Sequence, residues 1–410
     1  MAKQYDYLLL GGGTSCGYAA AAIRERDKNG SVGIVSADNQ PPYDRPPLSK
    51  GFLKNPDLSL SDIHSKDESF YPDNGIELHL GVRCEALDRS AKSARLSDGS
   101  EVSYGKLLYA LGSTPRRLDY PGSQNAVVLR TGADGESLRA KAPAAKSVVI
   151  VGAGYIGSEV SATLRAVDVE VTLLELGDSV LPRFPSKPTR AAVRDELERL
   201  GVHVQEGDTV VEADSTLVTC RSGRVISADL VLHAVGVKPN VELGSSAGLE
   251  VGNWGIRADS TLKTPDPSIW VAGDIAEYAE PITGRDYHAE HHLHAKWTGE
   301  HVGACMAGDA REYRKVPYFF SDVGRLSIIL RGWPELADRS FVLGNLEEPA
   351  FSEVFVKNDG RVIGFVDVRE DYKAQDPICD LFEGLIGEGA DLSSRLRDLE
   401  NPSFDVLSLA

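Results

Sequence analysis

Hydrophobic and polar positions change their rhythm twice in the first forty residues. The stretch "YDYLLLGGGTSCGYAAAAIRER", residues 5–26, passes from an apolar run through a glycine turn into an alanine-rich segment, and "SVGIVSAD", residues 31–38, follows as a second apolar run. Short apolar runs bounded by turn residues predict buried strands, and the alanine-rich stretch between them predicts a helix, so the opening reads as βαβ. The pattern returns at "KSVVIVGAGYIGSEVSATLRAVDVEVTLLELGD", where Gly152, Gly154 and Gly157 complete G-x-G-x-x-G and Glu175 closes the second strand. Each copy then reaches a related strand end, "LLYALGSTPR" at 107–116 and "LVLHAVGVKPN" at 230–240. The copies lie too far apart for a solenoid, so the repeat is one of whole domains.

The glycine turns carry chemistry. A tight turn lets the backbone approach a pyrophosphate, which rests on the positive end of the following helix. A carboxylate ending the second strand accepts hydrogen bonds from ribose hydroxyls, and Glu175 meets that need while repelling the 2'-phosphate of NADPH; the second turn is therefore expected to prefer NADH. The first turn departs from the pattern, with Cys16 in place of the third glycine and Ala37 where the acid is expected, leaving Asp38 to take over the ribose contact. Two dinucleotides in one chain suggest electron transfer between them, and nicotinamide with flavin is the common pair. Further on, "SIWVAGDIA" ends a strand at Gly273 and Asp274. On its residues alone Asp274 reads equally as a helix cap or a ligand.

Composition narrows the class. A chain of 410 residues suggests two to four domains. No apolar run reaches the ~18 residues that a membrane span needs, and Met1 leads directly toward a strand, so the expectation is a cytoplasmic protein without membrane contact. Cys16, Cys84, Cys220, Cys305 and Cys379 are too scattered for a disulfide framework or a zinc ribbon and are expected as buried thiols. A formal charge of −17 disfavours nucleic acid. Residues 367–410 carry 11 acidic and 4 basic side chains, read as a solvated surface.

With these residues in view, the chain resembles the FAD-dependent pyridine nucleotide oxidoreductases of glutathione-reductase-like fold. Within them it is most similar to the branch of oxygenase-coupled ferredoxin reductases and apoptosis-inducing factor. The match is carried, in order, by "GGGT" (11–14), "PYDRPPLSK" (42–50), "ALGSTPR" (110–116), "VGAGYIGSE" (151–159), "AVGVKPN" (234–240), "WVAGD" (270–274), "EHHLHA" (290–295) and "PYFFSD" (317–322). The fold it implies is α/β, with two Rossmann-like dinucleotide-binding domains and a C-terminal α+β domain. Residues 1–117 and 241–320 would form the FAD domain, 118–240 the NAD domain and 321–410 the C-terminal domain. It also implies FAD contacts from Gly11, Gly13, Thr14, Ser15, Asp38, Arg45, Lys50, Val82, Ala110, Gly112, Arg130, Asp274 and Phe320. NAD contacts are implied from Gly152, Gly154, Tyr155, Ile156, Gly157, Glu159, Glu175, Arg183, Val235 and Gly236.

For mechanism, the resemblance pairs Lys50 with Glu159 near flavin N5, makes Tyr155 an aromatic lid over the flavin, and sets Glu290, His291 and His292 at a helix start beside the pyrimidine ring. Each has a plainer reading: a surface-turn lysine, an exposed helix carboxylate, and a packed tyrosine. His288 and His292 have helical i, i+4 spacing, but "HAEHH" is not H-E-x-x-H, and no metal is expected. "PYFFSD" replaces the tryptophan-rich "PWFWSD" of relatives with Tyr318 and Phe320, and Leu111 stands for the usual Thr. The fold's disulfide reductases pass electrons to a C-x-x-x-x-C pair after the first turn, and this chain has none. Electrons are therefore expected to leave for an external acceptor, an iron–sulfur protein such as ferredoxin or rubredoxin. The alternatives are a quinone, monodehydroascorbate or oxygen, or a redox-sensing binding protein like apoptosis-inducing factor, in a monomer or homodimer.

Overall fold

The computed structural model describes residues 3–370, 372 and 375–409. It divides into two compact units, one of Met1–Pro47, Asp57–Thr114 and Val237–Arg314, the other of Leu48–Pro56, Pro115–Gly236 and Lys315–Ala410. The sequence boundaries cut the chain differently: residues 48–56 fall in their first domain, and residues 321–410 stand apart.

The first unit is built on a sheet ordered Ile76–His79, Val32–Val35, Lys3–Leu10, Glu101–Tyr109, Ser93–Leu96 and Cys84–Asp88, with Ile269–Val271 also paired to Glu101–Tyr109. Its central strands run parallel, and Leu8, Leu9, Leu10, Leu107 and Leu108 are wholly buried, as a sheet covered on both faces requires. Helix Thr14–Arg26 has no single apolar stripe because it is buried from both sides. Its neighbour is helix His292–Met306. Pairing Ile269–Val271 beside Glu101–Tyr109 brings Asp274 within 2.7 Å of Ser113.

The second unit carries a four-stranded parallel sheet ordered His203–Glu206, Glu170–Glu175, Ser147–Val151 and Leu230–His233. It also holds a five-stranded antiparallel sheet ordered Tyr318–Val323, Leu326–Gly332, Val362–Arg369, Ala350–Val356 and Arg339–Asn345, with helix Asp376–Glu388 packed on it. One apolar core runs through both layers and includes Val148, Ile150 and Leu173 together with Phe319, Ile328 and Val366. A buried carboxylate ties them as well. Glu196, on helix Lys187–Arg199, accepts from Arg199 Nε at 2.7 Å and Arg325 Nε at 3.1 Å.

Residues 48–56 are held in this unit by three kinds of contact. Leu53 enters the core, the Arg139 guanidinium lies 4.0 Å from the Phe52 ring centroid, and Thr163 Oγ1 donates to the Ser49 carbonyl at 2.8 Å. The prolines before them end in a 3-10 turn, Pro46–Ser49, and Gly51–Lys54 continues as one helical turn. Lys50 sits at the junction between these turns.

Candidate active site

In the first unit the turn expected to hold a dinucleotide is closed by contact. Gly11 has φ +131°, and a Cβ there would stand 2.2 Å from the Ala110 carbonyl oxygen, so only glycine fits. Cys16, in the third fingerprint position, is fully buried beside it, and burial pushes its thiol up to about 12. Helix Thr14–Arg26 opens on Gly13 with no side-chain cap and no acid in its first turn, while Arg45 Nη1 is 3.1 Å from where a Gly13 Cβ would be. Uncapped N–H groups beside a guanidinium suit the pyrophosphate of a dinucleotide, so the residues fit FAD. Thr14 Oγ1 donates to the Tyr43 carbonyl at 3.3 Å, and Ser15 Oγ to the Ala295 carbonyl at 2.9 Å. Asp38 accepts from Tyr43 Oη at 2.7 Å and from Gln40 N at 3.3 Å, so much of its carboxylate is engaged locally. Val82 is half-buried against the core, and Gly112, at φ +62°, accepts from Asn240 N at 2.9 Å.

The histidine-rich segment does not form one helix face. The helix begins at His292, with His291 extended at φ −119° and ψ 144° as its N-cap, so His288 and His292 do not share the helical i, i+4 relation expected from their spacing. Burial pulls His291 down to about 4, against the opposing pull of Asp274 and Glu290. His288 is also subject to burial, but its hydrogen bonds with Glu290, at 3.4 Å, and the Ala276 carbonyl, at 3.2 Å, outweigh it and raise the imidazole. Among the described residues no group of three or more His, Cys, Asp or Glu side chains could hold a metal. Cys220, Cys305 and Cys379 are buried thiols like Cys16, and Cys84 is half-buried.

The second glycine turn lies in the second unit. A Cβ at Gly157 would sit 2.0 Å from the Gly152 carbonyl oxygen, whereas a Cβ at Gly154 would meet no atom within 4 Å. That open space lies ahead of helix Tyr155–Arg165, which has no side-chain cap and no acid in its first turn. Ile156 is 42% exposed, and Arg183, Val235 and Gly236 are exposed or half-exposed. These features fit a second dinucleotide. Glu175 is buried and does more than close the strand: its Oε2 accepts from Ala153 N and its Oε1 from Gly177 N, both at 2.8 Å. Tyr155 packs its ring 4.3 Å from Phe319 and 6.2 Å from Phe184, centroid to centroid, and burial raises its phenol to about 12. Arg130 also belongs to this unit, its backbone N–H donating to Asp134 Oδ2 at 3.1 Å.

Lys50 and Glu159 meet here. Lys50 Nζ is 2.7 Å from Glu159 Oε1, and the Glu159 side chain is 5% exposed. A buried carboxylate needs more than one donor. Ser321 Oγ donates to Oε1 and Ser49 Oγ to Oε2, both at 2.6 Å. Lys50 Nζ also lies 5.5 Å from the Phe320 ring centroid and 3.8 Å from Asp322 Oδ2. The roles of Ser49, Ser321 and Asp322 escape a reading of the sequence. The one available signal was position, since Ser49 precedes Lys50 and "SD" follows the aromatic pair.

Two uncapped glycine turns, each feeding a helix from a parallel sheet, together with a half-buried lysine paired to a buried glutamate, define an oxidoreductase that binds two dinucleotides. The chain belongs to the pyridine nucleotide-disulphide oxidoreductase family, whose profile matches residues 5–299. It uses FAD and NAD(P)H. It is 33% identical to the ferredoxin reductase subunit of 5,5'-dehydrodivanillate O-demethylase from Sphingobium sp. (strain NBRC 103272 / SYK-6), over 88% of this chain and 89% of that one. It is 30% identical to the putidaredoxin reductase of Pseudomonas putida, over 86% of each. A solved ferredoxin reductase from Rhodopseudomonas palustris superposes with a TM-score of 0.86 at 32% identity, over 96% of this chain and 99% of that one. The covalent putidaredoxin reductase–putidaredoxin complex gives 0.88 at 28% identity, over 96% and 98%.

Proposed function

We propose that the chain takes hydride from NADH and delivers electrons, one at a time, to an iron–sulfur protein of the ferredoxin or rubredoxin class. The observation that carries the acceptor side is the cysteine pattern: no C-x-x-x-x-C pair follows the first glycine turn, so no internal disulfide can take the electrons. The relatives are named as reductases of ferredoxin, putidaredoxin and rubredoxin, which supports the same acceptor class.

FAD, when bound, accepts hydride from the nicotinamide and gives up its electrons singly. In this reading the first unit holds it through the Gly11–Gly13 turn, Arg45 and Asp274, and the second unit holds NADH through the Gly152–Gly157 turn and Glu175. Lys50 supplies a cation whose place is set by Glu159, and Glu159 is set in turn by Ser49 and Ser321. A fixed cation close to the reacting atoms costs little reorganisation when charge develops, which is how such a group accelerates hydride arrival. Tyr318 and Phe320, with ring centroids 6.2 Å apart, stand on the strand where relatives are tryptophan-rich, and the Arg331 guanidinium covers Tyr318 at 4.1 Å. The sequence boundaries of the FAD, NAD and C-terminal domains belong to this reading, as does a cytoplasmic location.

Stopped-flow mixing tests it. The FAD-loaded protein reduced by NADH should be reoxidised quickly by a ferredoxin or rubredoxin and slowly by air. Fast reoxidation by a quinone or oxygen, with none by either protein, would overturn the acceptor assignment.

A further inference from the structure

The Lys50 ammonium has a second carboxylate beside it. Glu159 Oε1 is 2.7 Å away and buried, whereas Asp322 Oδ2 is 3.8 Å away on a side chain 46% exposed. The strand Tyr318–Val323 explains the contrast, because successive side chains face opposite sides. Phe319, Ser321 and Val323 are buried, and Ser321 reaches Glu159; Phe320 and Asp322 lie on the half-exposed side and approach Lys50 from there. Glu159 has little room to adjust, since Lys50, Ser321 and Ser49 all donate to it.

We propose that Asp322 is a positioning residue that shares the Lys50 ammonium with Glu159, so that its charge decides where Nζ rests. The proposal rests on the reading of Lys50 as the cation that guides hydride to flavin. A charged Asp322 draws Nζ toward the exposed edge; a neutral one leaves it to Glu159. Burial raises the Asp322 carboxyl above the ordinary aspartate range, Lys50 opposes that rise, Glu159 adds to it, and the Ser327 hydroxyl opposes it. Lys50 and Glu159 are thus the charged groups acting on it. Arg325, at the turn of the same hairpin, is engaged by Glu196 at 3.1 Å and by Glu370 at 2.6 Å. The switch from charged to neutral therefore falls at a less acidic pH than for a solvated aspartate.

Two measurements on the FAD-loaded protein test this. In the first, the Asp322 carboxyl carbon is titrated by NMR: Lys50→Met should move its midpoint up and Glu159→Gln should move it down. A midpoint unmoved in both variants overturns the proposal. In the second, flavin reduction by NADH is followed against pH. The parent should slow as pH rises through the Asp322 titration. Asp322→Asn should hold the faster rate throughout, about threefold above the parent at neutral pH, the size expected of a half-exposed charge pair. Asp322→Glu should restore the slope. An unchanged slope in Asp322→Asn overturns the proposal. Failure of the underlying reading looks different: Lys50→Met would then leave flavin reduction untouched while the Asp322 midpoint still moved.

Discussion

Replacing Glu175 by arginine is the obvious route from NADH to NADPH when the strand end is considered alone, and the structure predicts that it fails as a clean switch. Both carboxylate oxygens of Glu175 accept backbone hydrogen bonds, from Ala153 N and Gly177 N, and Ala153 is fully buried. Removing the acceptor orphans a buried N–H at a cost of about 1–3 kcal/mol, and Gly177, half-buried and open to water, adds roughly 1 kcal/mol more. A loss of about 2–4 kcal/mol should lower the unfolding midpoint of a unit this size by about 5–15 °C. The neighbouring Leu176, 56% exposed, offers the alternative. Leu176→Arg leaves both bonds in place, should change stability by no more than about 0.5 kcal/mol, and puts a cation where a 2'-phosphate would lie. One charge-assisted contact to phosphate should shift the NADPH-to-NADH affinity ratio at least about tenfold. Calorimetric unfolding of each variant, with titration of both nucleotides, measures both effects. If Glu175→Arg keeps the parent midpoint and prefers NADPH, the structural role assigned to Glu175 is wrong. If Leu176→Arg leaves the affinity ratio where it was, the placing of the ribose at this strand end is wrong.

The other expectations concern buried polar groups. Ser49→Ala and Ser321→Ala each strip one donor from the Glu159 carboxylate and should each destabilise the protein by about 1–3 kcal/mol. Because both act on one carboxylate, a double-mutant cycle read by denaturant unfolding should show coupling of at least about 0.5 kcal/mol, and strict additivity would refute the shared site. His233 is 3% exposed, bonded to Tyr120 Oη at 2.7 Å, and held down to about 4 chiefly by burial, with Arg117 adding to the effect. Its folded value lies below the ordinary 6.5, so the unfolded chain takes up a proton that the folded chain refuses as pH falls. Stability should drop by up to about 3 kcal/mol between pH ~6.5 and ~4 from this group, and His233→Gln should flatten that part of the stability profile. A profile unchanged in the variant would show that His233 does not titrate as a buried neutral imidazole.

What could be read from the chain and what could not differ by the distance over which each feature is decided. The glycine turns were legible because their cause is local: Gly11 and Gly157 are crowded by backbone within the same βα unit or the adjoining strand end, and a tight turn leaves its mark in a short motif. The Lys50–Glu159 pairing was reached only by resemblance, since nothing local links residues 109 positions apart. The Ser49 and Ser321 bonds to Glu159 span 110 and 162 positions and were not reached at all. The start of the histidine helix is local, but spacing alone could not show that His291 would adopt extended backbone and break the segment. Glu175 was recognised for its place at a strand end, yet its two backbone bonds follow from the fold of the turns around it. The same split runs through the proposed chemistry. Residues that hold a dinucleotide must follow one another along a turn, so sequence displays them. A cation placed by two carboxylates and two hydroxyls from separate segments is assembled only when the second unit packs, and its function depends on contacts that sequence order conceals.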